Sequence, residues 1–182
     1  KMFKFLHIPL QSGNNEVLAN MERNCTVEEY KHIIAEFKKV IPNIHIMTDI
    51  ICGFPDETDE QFEDTLKVIA ETKPDSVNIS RYSARPKTLA ASWKQLPTHV
   101  IANRSRRLTE LFDGITLENN KKGESWEGAV LIDEEGKQGT QTMNGKNACY
   151  RQIVVNDPEQ KLKLGDIVNV TVIEAKEYYL LA

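Results

Sequence analysis

The sequence has little cysteine, few aromatic residues and no long hydrophobic run. Only three of its 182 residues are cysteines, at positions 25, 52 and 149, and 7% are aromatic. This sparse, odd number suits neither a disulfide framework nor a closely spaced iron–sulfur motif, so we expect unpaired thiols in a reducing cytoplasm. No apolar run approaches the ~18 residues that a membrane-spanning helix needs, so we expect no membrane segment.

Basic residues are fewer than acidic residues. The chain has 23 basic and 27 acidic side chains, for a net charge of −4. This balance excludes a strongly basic nucleic-acid binder as a description of the whole chain, but it allows a local basic patch. With 40% hydrophobic residues, the chain can bury a sizeable core, which excludes a disordered protein.

Glycine is scarce in the first two-thirds of the chain and frequent in the last third. Three of the nine glycines precede residue 120. Helical patterns dominate before that point, and short strand-and-turn patterns dominate after it. We therefore predict one domain over residues 1–118 and a second over residues 119–182, with the boundary in the polar stretch NNKKG.

The front domain alternates strands and helices. Helices are predicted after the N-caps Thr26, Thr58 and Thr98, the first two in capping boxes. Each follows a predicted strand: Lys1–Leu10, IHIMTDIICGF and SVNISRYS. The second strand is nearly continuously apolar, as a strand buried on both faces would be. The order βαβαβα predicts parallel strands with right-handed crossovers. Because three strands are few for a sheet that buries both faces, we expect the chain to be the C-terminal portion of a longer protein.

The second domain is predicted to be all-β. Turns are predicted at 134–136, 144–145 and 164–166. Five short strands in about 60 residues favour a small antiparallel barrel, similar to those that bind oligonucleotides. The strand candidates are EGAVLI, GTQT, YRQIVV, DIVNVTVIEA and YYLLA.

Polar side chains follow the first two strands, where ligands bind in parallel α/β folds. Gln11 and Ser12 either hold a ribose or a carboxylate, or only satisfy backbone groups. Asp49 lies within the second strand and needs a partner or a ligand, because an unpaired buried carboxylate is costly. Gly53 lets a flat ligand or another backbone approach closely, and Glu57 either binds a ligand or complements the next helix N-terminus.

Arginines follow the third strand. Arg81 and Arg85 lie at the same predicted end of the sheet, which suggests recognition of a phosphate or carboxylate, although solvated surface arginines would give the same pattern. On the last helix, Arg104, Arg106 and Arg107 are expected to form a solvated face rather than an RNA site.

Three strings of the front domain closely resemble the second half of the radical-SAM methylthiotransferases that act on tRNA: HIPLQSGNNEVLANMERNCTVEEY, TDIICGFPDETDEQFEDT and YSARPKTLAA. The tail, which contains GDIVNVTVIEA, resembles the TRAM domain that closes those enzymes. The string DIICGFP is most similar to the archaeal and eukaryotic branch, which adds a 2-methylthio group to threonylcarbamoyl-adenosine beside the anticodon.

The resemblance implies an α/β partial (βα) barrel, strands four to six of a radical-SAM barrel, followed by a small antiparallel β-barrel. It implies S-adenosyl-L-methionine (SAM) and two 4Fe-4S clusters as cofactors, and tRNA as partner. The cluster ligands of the family lie upstream, in a missing N-terminal half, so we expect no catalytic or metal-binding residue here and no activity of the chain alone. The alternatives are a ribosomal-protein methylthiotransferase and a non-catalytic RNA- or protein-binding module.

The resemblance also implies site residues. The SAM pocket is expected to include Gln11, Ser12, Asp49, Gly53 and Glu57. Arg85, with Arg81 near it, is expected to face SAM or the target nucleoside, so that Gln11, Asp49 and Arg85 converge at one rim. In the tail, residues 118–182 hold 8 basic and 11 acidic side chains, so RNA binding needs a local patch; otherwise the tail is a docking module. The patch candidates are Lys121, Lys122, Lys146, Tyr150 and Arg151.

Three positions depart from the family pattern, one of them Leu89, which stands where the family has proline. Asp56 in GFPDET and Lys87 in SARPKTLAA stand where the family has glycine. If the loop requires a positive φ at residue 56, we expect Asp56 to be strained, although aspartate tolerates that conformation better than most residues.

Overall fold

The computed structural model describes residues 2–182; Lys1, where the first predicted strand begins, lies outside the described residues. The chain divides into two compact units. The α/β unit comprises Leu6–Pro42 and Ile46–Ile115, and the β-sheet unit comprises Asn43–His45, Thr116–Ala182 and the residues up to Phe5. The predicted domain boundary between residues 118 and 119 remains a prediction. Among residues 2–182, no helix is long and apolar enough to cross a bilayer.

The α/β unit contains a three-stranded sheet in the order β1-β2-β3. Strands β2 and β3 pair in parallel, as the alternation of strands and helices predicted. The elements in chain order are β1 (Phe5–His7), α1 (Asn15–Asn20), α2 (Val27–Val40), β2 (His45–Cys52), α3 (Asp59–Thr72), β3 (Ser76–Arg81), a 3-10 helix (Leu89–Ser92) and α4 (Thr98–Lys121).

Helix caps explain most of the helix starts. The capping boxes at Thr26 and Thr58 are both confirmed. Helix α1 was not predicted; its N-cap is Asn14, whose side chain accepts hydrogen bonds from two backbone amides of the first turn. The third predicted helix is present, but the prediction that Thr98 is its N-cap was wrong. Helix α4 begins at Thr98 itself, and amides of its first turn donate to the carbonyl of Pro97.

Strand β2 is buried on one face only, which corrects the expectation of burial on both. Its buried residues alternate with half-buried ones. The buried set contributes to the hydrophobic core, and the half-buried set includes Asp49 and Ile51. The buried set is Ile46, Thr48, Ile50 and Cys52. The apolar composition that suggested two buried faces instead serves one packed face and one face that borders a cavity.

The β-sheet unit forms a six-stranded sheet in the order β7-β4-β5-β6-β9-β8. Its pairs are antiparallel except β6 with β9, which is parallel. The strands are β4 (Glu127–Glu135), β5 (Thr142–Lys146), β6 (Gln152–Asn156), β7 (Ile167–Thr171), β8 (Glu174–Ala175) and β9 (Leu180–Leu181). Its core is Val130, Ile132, Ile153, Val155, Val172 and Leu180.

Several predictions for this unit were wrong. Six strands form instead of five, and the turn predicted at 134–136 falls partly within β4, which continues to Glu135; the turn itself lies at residues 138–139. The segment GTQT is mostly turn, and β5 begins only at Thr142. The pair Asn144–Gly145 lies inside β5 rather than in a turn. A Cβ atom at Gly145 would lie 2.5 Å from the side chain of Val130 and 2.6 Å from the carbonyl oxygen of Leu131. Glycine is therefore required there by the close approach of β4 and not by turn geometry.

Candidate functional site

An open cavity of about 1070 Å³ borders the half-buried face of β2 and β3. The parallel register places Asp49 opposite Asn78 and Ile51 opposite Ser80, and all four residues line the cavity. Arg81, the last residue of β3, also lines it. The cavity thus extends along the sheet to the carboxyl ends of the strands, where parallel α/β folds bind ligands, and its volume suits a cofactor-sized molecule.

Gln11 is held against β2 by the backbone. Its amide donates to the carbonyl of Asp49 at 2.7 Å, and its carbonyl accepts from the amide of Ile51 at 2.9 Å. The residue has a φ of 77°, the left-handed region that is costly for a side chain other than glycine. Gln11 is buried and lines the cavity. A side chain fixed in this way, on a strained backbone, is a typical feature of binding sites.

Ser12 lies behind the cavity rather than on its lining. Its hydroxyl oxygen accepts from the amide of Asn14 at 3.3 Å, at the start of α1. The neighbouring amide of Gly13 donates to the hydroxyl of Thr65 on α3 at 2.8 Å. A Cβ atom at Gly13 would lie 2.4 Å from the Cα of Thr65, so this turn packs directly on α3. Ser12 thus satisfies backbone groups where the chain turns away from the cavity.

Asp49 has both a partner and access to the cavity. Its Oδ2 lies 3.0 Å from Nε2 of His7 on β1, and the cavity borders the same side chain. The expectation that this mid-strand carboxylate needs a partner is confirmed, and the partner is His7.

Gly53 and Glu57 lie away from the cavity, in a buried polar cluster. Oε2 of Glu57 accepts from the amide of Gly53 at 3.1 Å and from Nη1 of Arg104 at 2.6 Å. Nη2 of Arg104 donates to the carbonyl of Glu57 and to Oδ1 of Asp59. Burial raises the pKa of Glu57, and the nearby guanidinium offsets only part of that effect.

The expected solvated arginine face of α4 is therefore wrong for Arg104, which is 4% exposed. The sequence did contain the signal for its burial: Arg104 lies three residues after Ile101 and four before Leu108, on the apolar face of the helix. The next two arginines make more exposed ion pairs, Arg106 with Glu110 and Arg107 with Glu63.

Arg81 and Arg85 both line the cavity. The carbonyl of Arg85 accepts from the hydroxyl of Thr88 at 2.9 Å, and Lys87 has a φ of 70°. Proline at the second position and a positive φ at the third are typical of a type II turn, which fixes the backbone that carries Arg85. The prediction that Gln11, Asp49 and Arg85 converge at one site is confirmed, because all three line this cavity.

Sequence reasoning missed an aromatic group on the same lining. The ring of Phe54 makes edge contacts with the rings of Tyr82 and Trp93, at centroid distances of 5.3 and 5.8 Å. Arg23, after α1, also lines the cavity and was not selected. Nothing in local spacing marks these residues, because they come from four different loops and element ends.

The thiols do not form a metal centre in the described part of the chain. No group of three histidine, cysteine or acidic residues within residues 2–182 is arranged to hold a metal ion. Cys25, Cys52 and Cys149 are free, as expected. Burial raises the pKa of Cys52 to about 12, so its thiol is protonated at neutral pH and is a poor ligand.

In the β-sheet unit, the structure brings together two members of the predicted RNA patch. Nζ of Lys146 lies 5.1 Å from the ring centroid of Tyr150 and 2.6 Å from Oδ2 of Asp133. The ring of Tyr150, which is partly exposed, also packs on Phe5. A partly exposed aromatic ring therefore lies beside a cation, and the charge of that cation is shared with an acid.

The other members of the patch are dispersed. The guanidinium of Arg151 donates to the carbonyl of Asn119 at 2.9 Å. Nζ of Lys122 lies 3.6 Å from a carboxylate oxygen of Glu118, and Lys121 is exposed at the end of α4.

Comparisons with known proteins identify relatives of both units. Residues 2–69 match the model of the radical SAM superfamily. The chain is 48% identical over 150 residues to a probable threonylcarbamoyladenosine tRNA methylthiotransferase of Pyrococcus abyssi, covering 81% of this chain and 35% of that protein. A protein of the same description from Archaeoglobus fulgidus is 42% identical, covering 100% and 41% respectively. The threonylcarbamoyladenosine tRNA methylthiotransferase of Danio rerio is 38% identical, covering 99% and 32%. The chain thus spans between about a third and two-fifths of the length of these relatives.

Proposed function

Because the chain belongs to the radical SAM tRNA methylthiotransferase family, we propose that it forms part of the SAM- and nucleoside-binding site of an enzyme that adds a 2-methylthio group to threonylcarbamoyl-adenosine in tRNA. The observation that carries the proposal is the convergence of Gln11, Asp49 and Arg85 on one cavity, although they are far apart in the sequence. Each belongs to a different string of the family pattern.

We propose that the sheet β1-β2-β3 corresponds to strands four to six of a (βα) barrel and that the six-stranded sheet is a small TRAM-type barrel. The parallel pairing of β2 with β3 and the cavity along one face of the sheet support the first part. The mostly antiparallel pairing around one apolar core supports the second. On this basis residues 1–118 and 119–182 are separate domains.

The cavity lining suits SAM chemically. SAM carries a carboxylate, an ammonium group, a ribose and an adenine, and the lining offers the amide of Gln11, the carboxylate of Asp49, a guanidinium group and the ring of Phe54. Bound there beside a cluster, SAM would supply the radical and methyl chemistry of the family. The part of this chain is to bind and orient SAM and to keep water from it. The lining does not include Ser12, Gly53 and Glu57. These residues support the site indirectly, because they hold in place the loops that carry the lining residues.

The two 4Fe-4S clusters of the family would be held by residues outside this chain. The described residues provide no group of ligands for either cluster. We therefore propose that the chain works only together with the remaining part of a longer protein.

We propose that the β-sheet unit contacts tRNA through Lys146 and Tyr150. A partly exposed ring next to a cation can stack on an unpaired base and attract the backbone. Lys121, Lys122 and Arg151 would add weaker, salt-sensitive contacts to phosphates.

The test is mass spectrometry of tRNA nucleosides from cells that lack the gene, with and without the full-length gene restored. We expect the 2-methylthio form of threonylcarbamoyl-adenosine only when the gene is present. The main alternative, methylthiolation of a ribosomal protein, is not favoured by the names of the relatives. A restored methylthio mark on a ribosomal protein, with none on tRNA, would overturn the proposal.

A further inference from the structure

We propose that Arg81 and Arg85 form an anion site that binds the threonyl carboxylate of the substrate nucleoside and makes the enzyme selective for it. This inference rests on the function proposed above and adds to it the residues that recognise the substituent on the adenine.

The arginines of the chain fall into two groups. Three of them pair with carboxylates, Arg104, Arg106 and Arg107, and Arg151 donates to a backbone carbonyl. The side chains of the remaining three make no hydrogen bond or ion pair with any residue in the range 2–182, and all three residues line the cavity. These are Arg23, Arg81 and Arg85. A guanidinium has five donors in a fork that matches a carboxylate, so three unpaired ones around a single cavity indicate anionic ligands.

The acidic residues of the cavity do not account for these charges. Asp49 is hydrogen-bonded to His7. Glu22, the other acid on the lining, is not within ion-pair distance of any described basic group. Three guanidinium groups therefore face two carboxylates, and neither carboxylate pairs with an arginine.

The three arginines come from two parts of the fold. Arg23 follows α1, in the segment that continues from Gln11. Arg81 ends β3, and Arg85 is carried by the turn that the hydroxyl of Thr88 closes. The proposed reaction also needs two carboxylate ligands, the methionyl group of SAM and the threonyl group of the nucleoside. Two separate anion positions match two separate carboxylates.

The surroundings of Arg81 assign the β3 side to the nucleoside. Arg81 also borders a second, shallow groove of about 610 Å³ along α4, whose lining includes His99, Asn103 and Arg106. A nucleoside that is part of an RNA chain must enter where flanking nucleotides have room and meet positive charge. SAM is a free small molecule and has no such need. Arg81 and Arg85 therefore lie where the RNA enters, and Arg23 is left for SAM.

The proposal predicts selectivity for charge. The test uses the full-length gene product with its clusters reconstituted, and two anticodon stem-loop RNAs. One carries threonylcarbamoyl-adenosine, and the other carries the methyl ester of its threonyl group, which has the same shape without the charge. The dissociation constant for each RNA and the methylthiolation rate are measured, together with the dissociation constant for SAM.

We expect the wild-type protein to bind and modify the acid at least about tenfold better than the ester, as for the loss of one charge-assisted pair. Arg81→Gln and Arg85→Gln should reduce this ratio towards one while the affinity for SAM and the melting temperature stay unchanged. The matched control Arg106→Gln, in the same groove but paired with Glu110, should keep the acid-to-ester ratio of the wild type.

Equal treatment of the two RNAs by the wild-type protein would overturn the inference, and this result needs no variant to fold. So would Arg81 and Arg85 variants that keep the ratio, or that lose SAM affinity instead. A wild-type protein that modifies neither RNA would refute the proposed function itself, so the two failures are distinguishable.

Discussion

Nη1 of Arg104 lies 2.6 Å from Oε2 of Glu57, and the two side chains are 4% and 1% exposed. The pair connects α4 to the loop that follows β2, and Phe54 on that loop lines the cavity. The wall of the site therefore depends on a buried charge pair that does not itself reach the cavity.

We predict that Arg104→Met lowers the free energy of unfolding by about 3–5 kcal/mol, because it leaves the carboxylate of Glu57 buried without its partner. The double variant Glu57→Leu/Arg104→Met should cost clearly less than the sum of its single variants. Urea denaturation of all three measures the effect. The control Arg106→Met removes an exposed pair and should cost less than about 1 kcal/mol. Additive effects of the two single substitutions would show that the pair is not coupled.

The buried thiol of Cys52 predicts a loss of stability at alkaline pH. Its pKa is raised from an ordinary value of 9.0 to about 12 in the folded chain. The stability that follows from this shift is fully present below pH 9 and is lost as the pH rises towards 12, because the unfolded thiol ionises first. We expect the wild-type free energy of unfolding to fall by about 1.4 kcal/mol per pH unit more steeply than that of Cys52→Ala between pH 9 and 11. Parallel curves for the two proteins would contradict the shift.

Two loop residues that are not glycine have a left-handed backbone conformation, which glycine adopts most easily. Asp56 has a φ of 61° and Lys87 a φ of 70°, which costs about 1 kcal/mol or more for an L-residue. We predict that Lys87→Gly raises the free energy of unfolding by about 0.5–1 kcal/mol, and Asp56→Gly by less, because aspartate tolerates this region better. Lys94→Gly, at an exposed lysine with ordinary φ, should lower stability instead. A destabilising Lys87→Gly would mean that the turn is held by other contacts.

Asp49 gives a prediction about ligand affinity. We expect Asp49→Asn to weaken SAM binding by the full-length protein at least about tenfold, because a carboxylate on the cavity lining is lost, while the melting temperature changes little. Asp64→Asn, on α3 and away from the cavity, is the matched control and should leave SAM affinity unchanged. Equilibrium titration with SAM measures both. Unchanged affinity in Asp49→Asn would dismiss the role of this carboxylate.

The sequence predicted the helices best where their caps are local. The capping boxes of Thr26 and Thr58 depend on residues three apart, and both were correct. The prediction of a turn at Asn144–Gly145 was wrong. Glycine is needed at position 145 because the side chain of Val130, on a neighbouring strand, leaves no room for a Cβ atom, and no local pattern shows this. Local rules therefore locate helix ends well and fail where a residue is chosen by a distant neighbour.

For the candidate site, too, predictions from local patterns were correct and contacts between distant residues were missed. Gln11, Asp49 and Arg85 were predicted from their positions within or after strands and lie together on the cavity lining. The burial of Arg104 was missed because its charge was given more weight than its place on the apolar face of α4. The aromatic wall around Phe54 could not be predicted, because its rings meet only when the loops have folded.

SAM is proposed to bind in the cavity along β2 and β3. Ultraviolet crosslinking of radiolabelled SAM to the full-length protein, followed by peptide mapping, tests this proposal most directly, since aromatic rings in contact with adenine form adducts. We expect the label on peptides that contain Phe54, Tyr82 or Trp93, and we expect excess unlabelled SAM to abolish this labelling. Competable labelling that is found only on peptides away from this cavity would contradict the proposal.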